Sequence, residues 1–176
     1  MRHLHFGKLF FVVFSLLLAY TDSARKPIKT LLITGQNNHN WQVSHVVLKQ
    51  ILENSGRFDV DFVISPEQGK DMSGFVLDFS PYQLVVLDYN GDSWPEETNR
   101  RFLEYVQNGG GVVIYHAADN AFSKWPEFNR ICALGGWEGR NENSGPYVYW
   151  KDGKLVKDSS AGPGGSHGRQ HEDVLN

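Results

Sequence analysis

The sequence predicts an α/β domain built on a parallel sheet, and three observations carry that expectation. Short apolar runs at 29–34, 84–87 and 112–114 read as buried strands. Each run is followed by a segment whose apolar residues recur at helical spacing. Each also ends in a polar cluster, at 36–40, 88–92 and 116–120. Strand and helix alternating in this way imply right-handed crossovers between parallel strands.

The first residues stand outside that domain. Arg2, His3, His5 and Lys8 make a basic start, and residues 9–20 are apolar except for Ser15 and the tyrosine hydroxyl of Tyr20. Thr21, Ser23 and Ala24 then supply small residues. This is the three-part pattern of a secretory signal peptide over 1–23, cleaved after Ser23, which predicts a secreted or periplasmic protein. An uncleaved anchor is the alternative, but the run is shorter than the ~20 residues that cross a bilayer. No stable membrane span is expected after cleavage. Residues 24–176 then form one domain, close to the common size of ~100–150 residues.

Within it, residues 29–34 form the first strand. A helix over 41–55 follows, with Val43, Val46, Val47 and Ile51 at helical spacing and Gly56 as its stop. Phe58, Val60 and Phe62 alternate with Asp59 and Asp61, the pattern of a half-exposed edge strand. Residues 65–81 have little periodicity and read as a loop with a short helix. The strand 84–87 comes next. Ser93-Trp94-Pro95-Glu96 has the form of a capping box, the serine oxygen taking an orphan amide while the glutamate reaches back. Phe102, Tyr105 and Val106 continue this helix to Gly109. The glycines at 109–111 lead into a buried strand, and another helix around Trp125, Phe128 and Ile131 ends at Gly135-Gly136. Asp152-Gly153 between Tyr147-Val148-Tyr149-Trp150 and Lys154-Leu155-Val156 is a hairpin signal. Residues 159–176 are a glycine- and histidine-rich loop.

Composition excludes some functions. The formal net charge is -3 and no basic stripe stands out, which argues against a nucleic-acid partner. Cys132 is the single cysteine, so no intrachain disulfide can form. It falls in a helix and reads as a small core residue. Gly109-Gly110-Gly111 precedes its strand, whereas a dinucleotide fingerprint follows one.

Parallel strands bring the three polar clusters to one edge of the sheet, where ligands of open α/β sheets bind. They are either ordinary solvated turns or a site, and the residue types point to a site. Asn37, Asn90, Asp92 and Asn120 offer donors and acceptors suited to sugar hydroxyls. Trp94, with Trp41, offers an aromatic face for the apolar side of a pyranose ring. A small-molecule carbohydrate is the expected partner. His116 holds the sharp strand-to-helix turn where related enzymes present a nucleophile, but neither serine nor cysteine is there. That leaves a general acid or base, a metal ligand, or a histidine satisfied by backbone. Asp119 is close enough in sequence to orient it, and His39 comes from the first loop. His167 and His171 have a spacing seen in zinc sites, and Glu172 adds an oxygen. With His39 or His116 they would hold a divalent metal such as zinc. The same segment also reads as a substrate-contacting loop or a glycine-rich tail.

Several motifs together resemble the ThuA-like (trehalose-utilisation) family. They are Leu31-Leu32-Ile33-Thr34-Gly35-Gln36-Asn37-Asn38-His39-Asn40-Trp41, Asn90-Gly91-Asp92-Ser93-Trp94-Pro95 and residues 109–120. Leu134-Gly135-Gly136-Trp137, Gly145-Pro146-Tyr147, Gly165-Ser166-His167-Gly168 and Gln170-His171-Glu172 join them. The resemblance implies a flavodoxin-like three-layer sandwich of the class I glutamine amidotransferase-like type. In those amidotransferases a cysteine sits where His116 stands, so amidotransferase activity is not implied. Action on trehalose-like disaccharides or keto-sugar derivatives is implied, as a glycoside hydrolase or sugar isomerase. Family domains usually run well past the position of Glu172, so the C-terminal part of the fold is expected to be incomplete. That would leave a sheet edge or face open to a partner or an oligomer. A non-catalytic sugar-binding or scaffold domain with an incomplete site is the alternative.

Overall fold

The computed structural model describes residues 26–133 and 146–160. In chain order they form β1 (Ile28–Thr34), α1 (Trp41–Asn54), β2 (Phe58–Ile64), β3 (Leu84–Leu87), α2 (Glu96–Gln107) and β4 (Gly111–Ile114). A 3-10 turn (His116–Asn120), α3 (Pro126–Cys132) and the strands β5 (Tyr147–Lys151) and β6 (Lys154–Asp158) follow. β1 to β4 make a parallel sheet in the order β2-β1-β3-β4, so the α/β expectation holds. β5 and β6 pair as an antiparallel hairpin through Asp152 (φ 49°) and Gly153 (φ 73°). Positive φ at both positions matches the twist of the flanking strands. No helix among the described residues is long and apolar enough to cross a membrane.

β1 is apolar along its length because both its faces are covered. Leu31 and Ile33 join Val85, Leu87, Phe102 and Phe128 in the larger core, under α2 and α3. Leu32 faces the other way, with Val60 and Val86, against Leu48 and Leu52 of α1. Side chains alternating across a sheet covered on both sides give this near-continuous hydrophobic run.

Several elements depart from the sequence expectation. α1 forms where its periodicity places it, but Val43, Val46, Val47 and Ile51 are 43–61% exposed. The buried side of α1 is instead Ser44, His45, Leu48 and Leu52. Residues 65–83 contain no helix. Asp71 and Asp78 accept from the backbone N–H of Ser73 and Ser80, holding turns, while Phe75 and Phe79 drop into the core. Thr98 of α2 clamps this loop, donating to the Phe75 carbonyl at 2.7 Å and accepting from Leu77 N–H.

The capping box does not form. The residue before α2 is Pro95, with no side-chain cap, because the Trp94 side chain is drawn into the core and the helix begins at Glu96. Among the described residues β4 is an edge strand, not a buried one, with Val113 open to solvent. α3 stops at Cys132, where Ala133 turns left-handed (φ 63°), ahead of Gly135 and Gly136, which lie outside the described residues. The expected helix stop at Gly109 is present, at φ 89°. The predicted leader at 1–23 and the segment from 161 onward also lie outside the described residues.

Candidate functional site

The crevice follows from the strand order. β1 leads to β2 through α1 on one face, whereas the chain entering β3 and the helix leaving it lie on the other. The loops after β1 and β3 therefore part at the carboxyl edge, the switch point where open α/β sheets bind ligands. Gln36 ties these two loops together from a buried position. Its Oε1 accepts from Asp92 N–H at 2.7 Å, its carbonyl accepts from Asn90 N–H at 2.8 Å, and its Nε2 donates to the Pro66 carbonyl. Gly91 makes this approach possible, since a Cβ there would lie 2.1 Å from Gln36 Oε1.

Asp88, the first residue past β3, is 1% exposed. Asn37 Nδ2 donates to its Oδ1 at 3.0 Å, and Ser44 Oγ donates to Oδ2. Burial pushes the Asp88 carboxyl above the usual aspartate range, against the pull of these donors. Asn37 in turn accepts from His39 N–H at 3.1 Å, which fixes the backbone carrying the His39 ring. That ring meets His116 edge to face, with centroids 4.6 Å apart and planes at 76°. His116, at φ 48°, is the first residue of the 3-10 turn that follows β4. A left-handed histidine costs of order 1–3 kcal/mol and marks the sharp strand-to-helix turn that the sequence places there.

Beside the pair lies a cavity of about 590 Å³. Asn37, Asn38, Asn90, Asn99, Asn120 and Gln68 give it six primary amides, and Asp92 and Ser93 add oxygens. Phe122 and Trp125 form its aromatic wall. Asp92 is held by Gly69 N–H on Oδ2 at 2.6 Å, and its carbonyl accepts from the Tyr89 hydroxyl. Burial raises that phenol above its ordinary range.

The structure thus brings Asn37, Asn90, Asp92 and Asn120 onto one wall and sets His39 against His116. His39 and His116 do not line the cavity itself. Trp94 is placed elsewhere. It is 3% exposed, packed against Phe75, Tyr89, Phe102 and Phe122, and so presents no face to a ligand. The core captures it because the chain turns inward before α2. Asp119, half-buried on the 3-10 turn, lies close enough to Cys132 to add to the burial that pushes that thiol up to about 12. Cys132 packs against the core, as expected of an inert thiol.

Among the described residues no three His, Cys, Asp or Glu side chains converge to hold a metal ion. His167, His171 and Glu172 lie outside the described residues. Sequence reasoning missed Asn99, Gln68, Phe122 and Trp125 as wall residues, and Asp88 as the anchor of the first loop. Only Asp88 carried a signal, as the acid directly following an apolar strand. Comparison with protein-family models and with curated proteins returns no match to this chain.

Proposed function

We propose that this chain is an exported carbohydrate-active protein of the ThuA-like kind, a glycoside hydrolase or sugar isomerase acting on trehalose-like disaccharides or keto-sugar derivatives. The observation that carries the reading is the His39–His116 ring pair beside an amide-walled cavity at the switch point. Side-chain amides both donate and accept, which suits vicinal hydroxyls. Phe122 and Trp125, rather than Trp94, take the stacking role on the cavity wall. The strand order β2-β1-β3-β4 supports a flavodoxin-like assignment, since it matches the first four strands of the order 2-1-3-4-5.

In this reading His116 is the acid or base and His39 its partner. An imidazole can serve as general acid or as general base, so two rings in contact can offer both roles to one ligand. Asp119 is the carboxylate of the same turn that would orient His116. Should a divalent metal such as zinc be resident, His39 and His116 would supply two imidazole ligands, and His167, His171 or Glu172 the remainder. Bound metal would polarise a sugar oxygen.

A second reading is a sugar-binding domain without turnover, and the absence of both histidines from the cavity wall favours it. Titration calorimetry with trehalose and related disaccharides, alongside a product assay on the same sample, separates the two. Turnover that vanishes in His116→Ala while binding persists supports the enzyme. Binding without product in the wild type supports the binding domain, and failure to bind any disaccharide overturns both. Metal analysis of untagged protein decides whether an ion belongs to the site.

A further inference from the structure

Among the described residues, the outer side of α1 gathers exposed aliphatic side chains that its own fold does not bury. α1 carries two charged residues, Lys49 and Glu53, and both turn back toward β2. Lys49 Nζ donates to Glu53 and to the Val60 carbonyl, and Glu53 accepts weakly from Val60 N–H. The two charges are thus closed on each other at the margin of the face turned to solvent. That face consists of two i, i+4 ridges, Val43–Val47–Ile51 and Val46–Gln50–Asn54, all exposed.

We infer that this face is the interface of a symmetric dimer, its occupant being α1 of a second copy. A two-fold axis sets every residue near the axis against its own kind, so a charged face would meet its own sign. This face carries only the Lys49–Glu53 pair, closed on itself at the margin. Ridges with four-residue spacing pack into the grooves of an identical helix at a crossing angle of about 50°. Val47 and Gln50 lie at the middle of the two ridges, where the helices cross. Gln50 there can pair its amide with the Gln50 amide of the second copy, satisfying both.

The exposed area goes much of the way to what association needs. The four aliphatic side chains, with Phe62 and Ile64 exposed beside them on β2, leave roughly 500 Å² of apolar surface, near the upper end for a monomer. Gln42, Gln50 and Asn54 bring the face toward the ~800 Å² per partner of a standard interface. His45, which packs on Phe62 at 5.2 Å, makes α1 and β2 continuous. This inference does not depend on the sugar reading.

Sedimentation velocity on the full chain over a dilution series tests it. The wild type is expected to pass from dimer to monomer on dilution, and a chain that stays monomeric throughout overturns the inference. Val47→Lys sets like charges across the axis and is expected to weaken association at least tenfold, with circular dichroism unchanged. Association that survives Val47→Lys places the contact elsewhere and overturns it as well. Mixing Val47→Lys with Val47→Glu is the second arm, and covers any loss of folding in one variant. Heterodimer in the mixture, with monomer in each component alone, is the expected result, and two components that ignore each other refute the symmetric contact.

Discussion

α1 and α2 cover opposite faces of one sheet, and they meet water in opposite ways. The outer side of α2 is a ladder of ion pairs, Glu97 with Arg100 and Arg101 at 2.7 Å and Arg100 with Glu104 at 2.5 Å. Its inner side drives Phe102 fully into the larger core. α1 has its charges tucked sideways, only half-buried Leu48 and Leu52 beneath it, and an aliphatic outer face. What α1 gains inward is partly polar, through Ser44 on Asp88. A helix with apolar residues on two sides has two faces to bury, and the sheet takes only one. α2 is finished by its own domain, and α1 is not.

The contrast can be broken most decisively at the core. Phe102→Ala is expected to cost about 3–5 kcal/mol in denaturant unfolding, whereas Leu48→Ala beneath α1 costs ~1–2 kcal/mol. Equal losses would mean that the two helices are anchored alike. Next comes the polar anchor of α1. Ser44→Ala removes a donor from a buried carboxylate and is expected to cost roughly 1.5–3 kcal/mol at neutral pH. The loss should shrink in acid, as Asp88 takes up its proton and the charged acceptor disappears.

Acid sharpens the comparison further, because the two helices answer it with opposite signs. Arg100 and Arg101 hold the Glu97 carboxyl down to about 2, against an ordinary value of 4.5. The unfolded chain then binds more protons than the fold between those values, so the stability from this ladder is lost as pH falls from about 4.5 to about 2. Asp88 is raised above 3.8 by burial, so the fold binds its proton first and gains stability as pH falls toward 3.8. Glu97→Gln should flatten the acid loss and Asp88→Asn should steepen it, and matching slopes in the two variants would contradict both assignments. The smallest effect is at the outer face. Val47→Lys should change monomer stability by no more than about 0.5 kcal/mol, and Arg100→Ala should give a small shift in melting that disappears at high salt.

The site was legible to a different depth from residue to residue. The turn at His116 could be read from an apolar strand ending abruptly ahead of two alanines and an aspartate, a local signal. Asn37, Asn90, Asp92 and Asn120 could be grouped because parallel strands share an edge. Trp94 and Trp125 could not be told apart. Both are tryptophans next to a proline near a helix start, and only the path of the chain sends Trp94 inward and leaves Trp125 on the cavity wall. The capping box failed for the same reason, since burial of Trp94 outweighed a cap worth about 1 kcal/mol.

By itself the sequence determined the alternation of strands and helices, the parallel sheet and the edge on which its polar loops gather. These rest on spacing over a few residues and on the handedness of crossovers. Tertiary structure alone decided which side of α1 is buried, that β4 is an edge among the described strands, and that His39 comes within 4.6 Å of His116. Periodicity says that a helix has an apolar face. Which face meets the sheet depends on residues far away in the chain, here Val60, Phe62 and Asp88, which take up His45, Lys49 and Ser44 and so turn the valines outward.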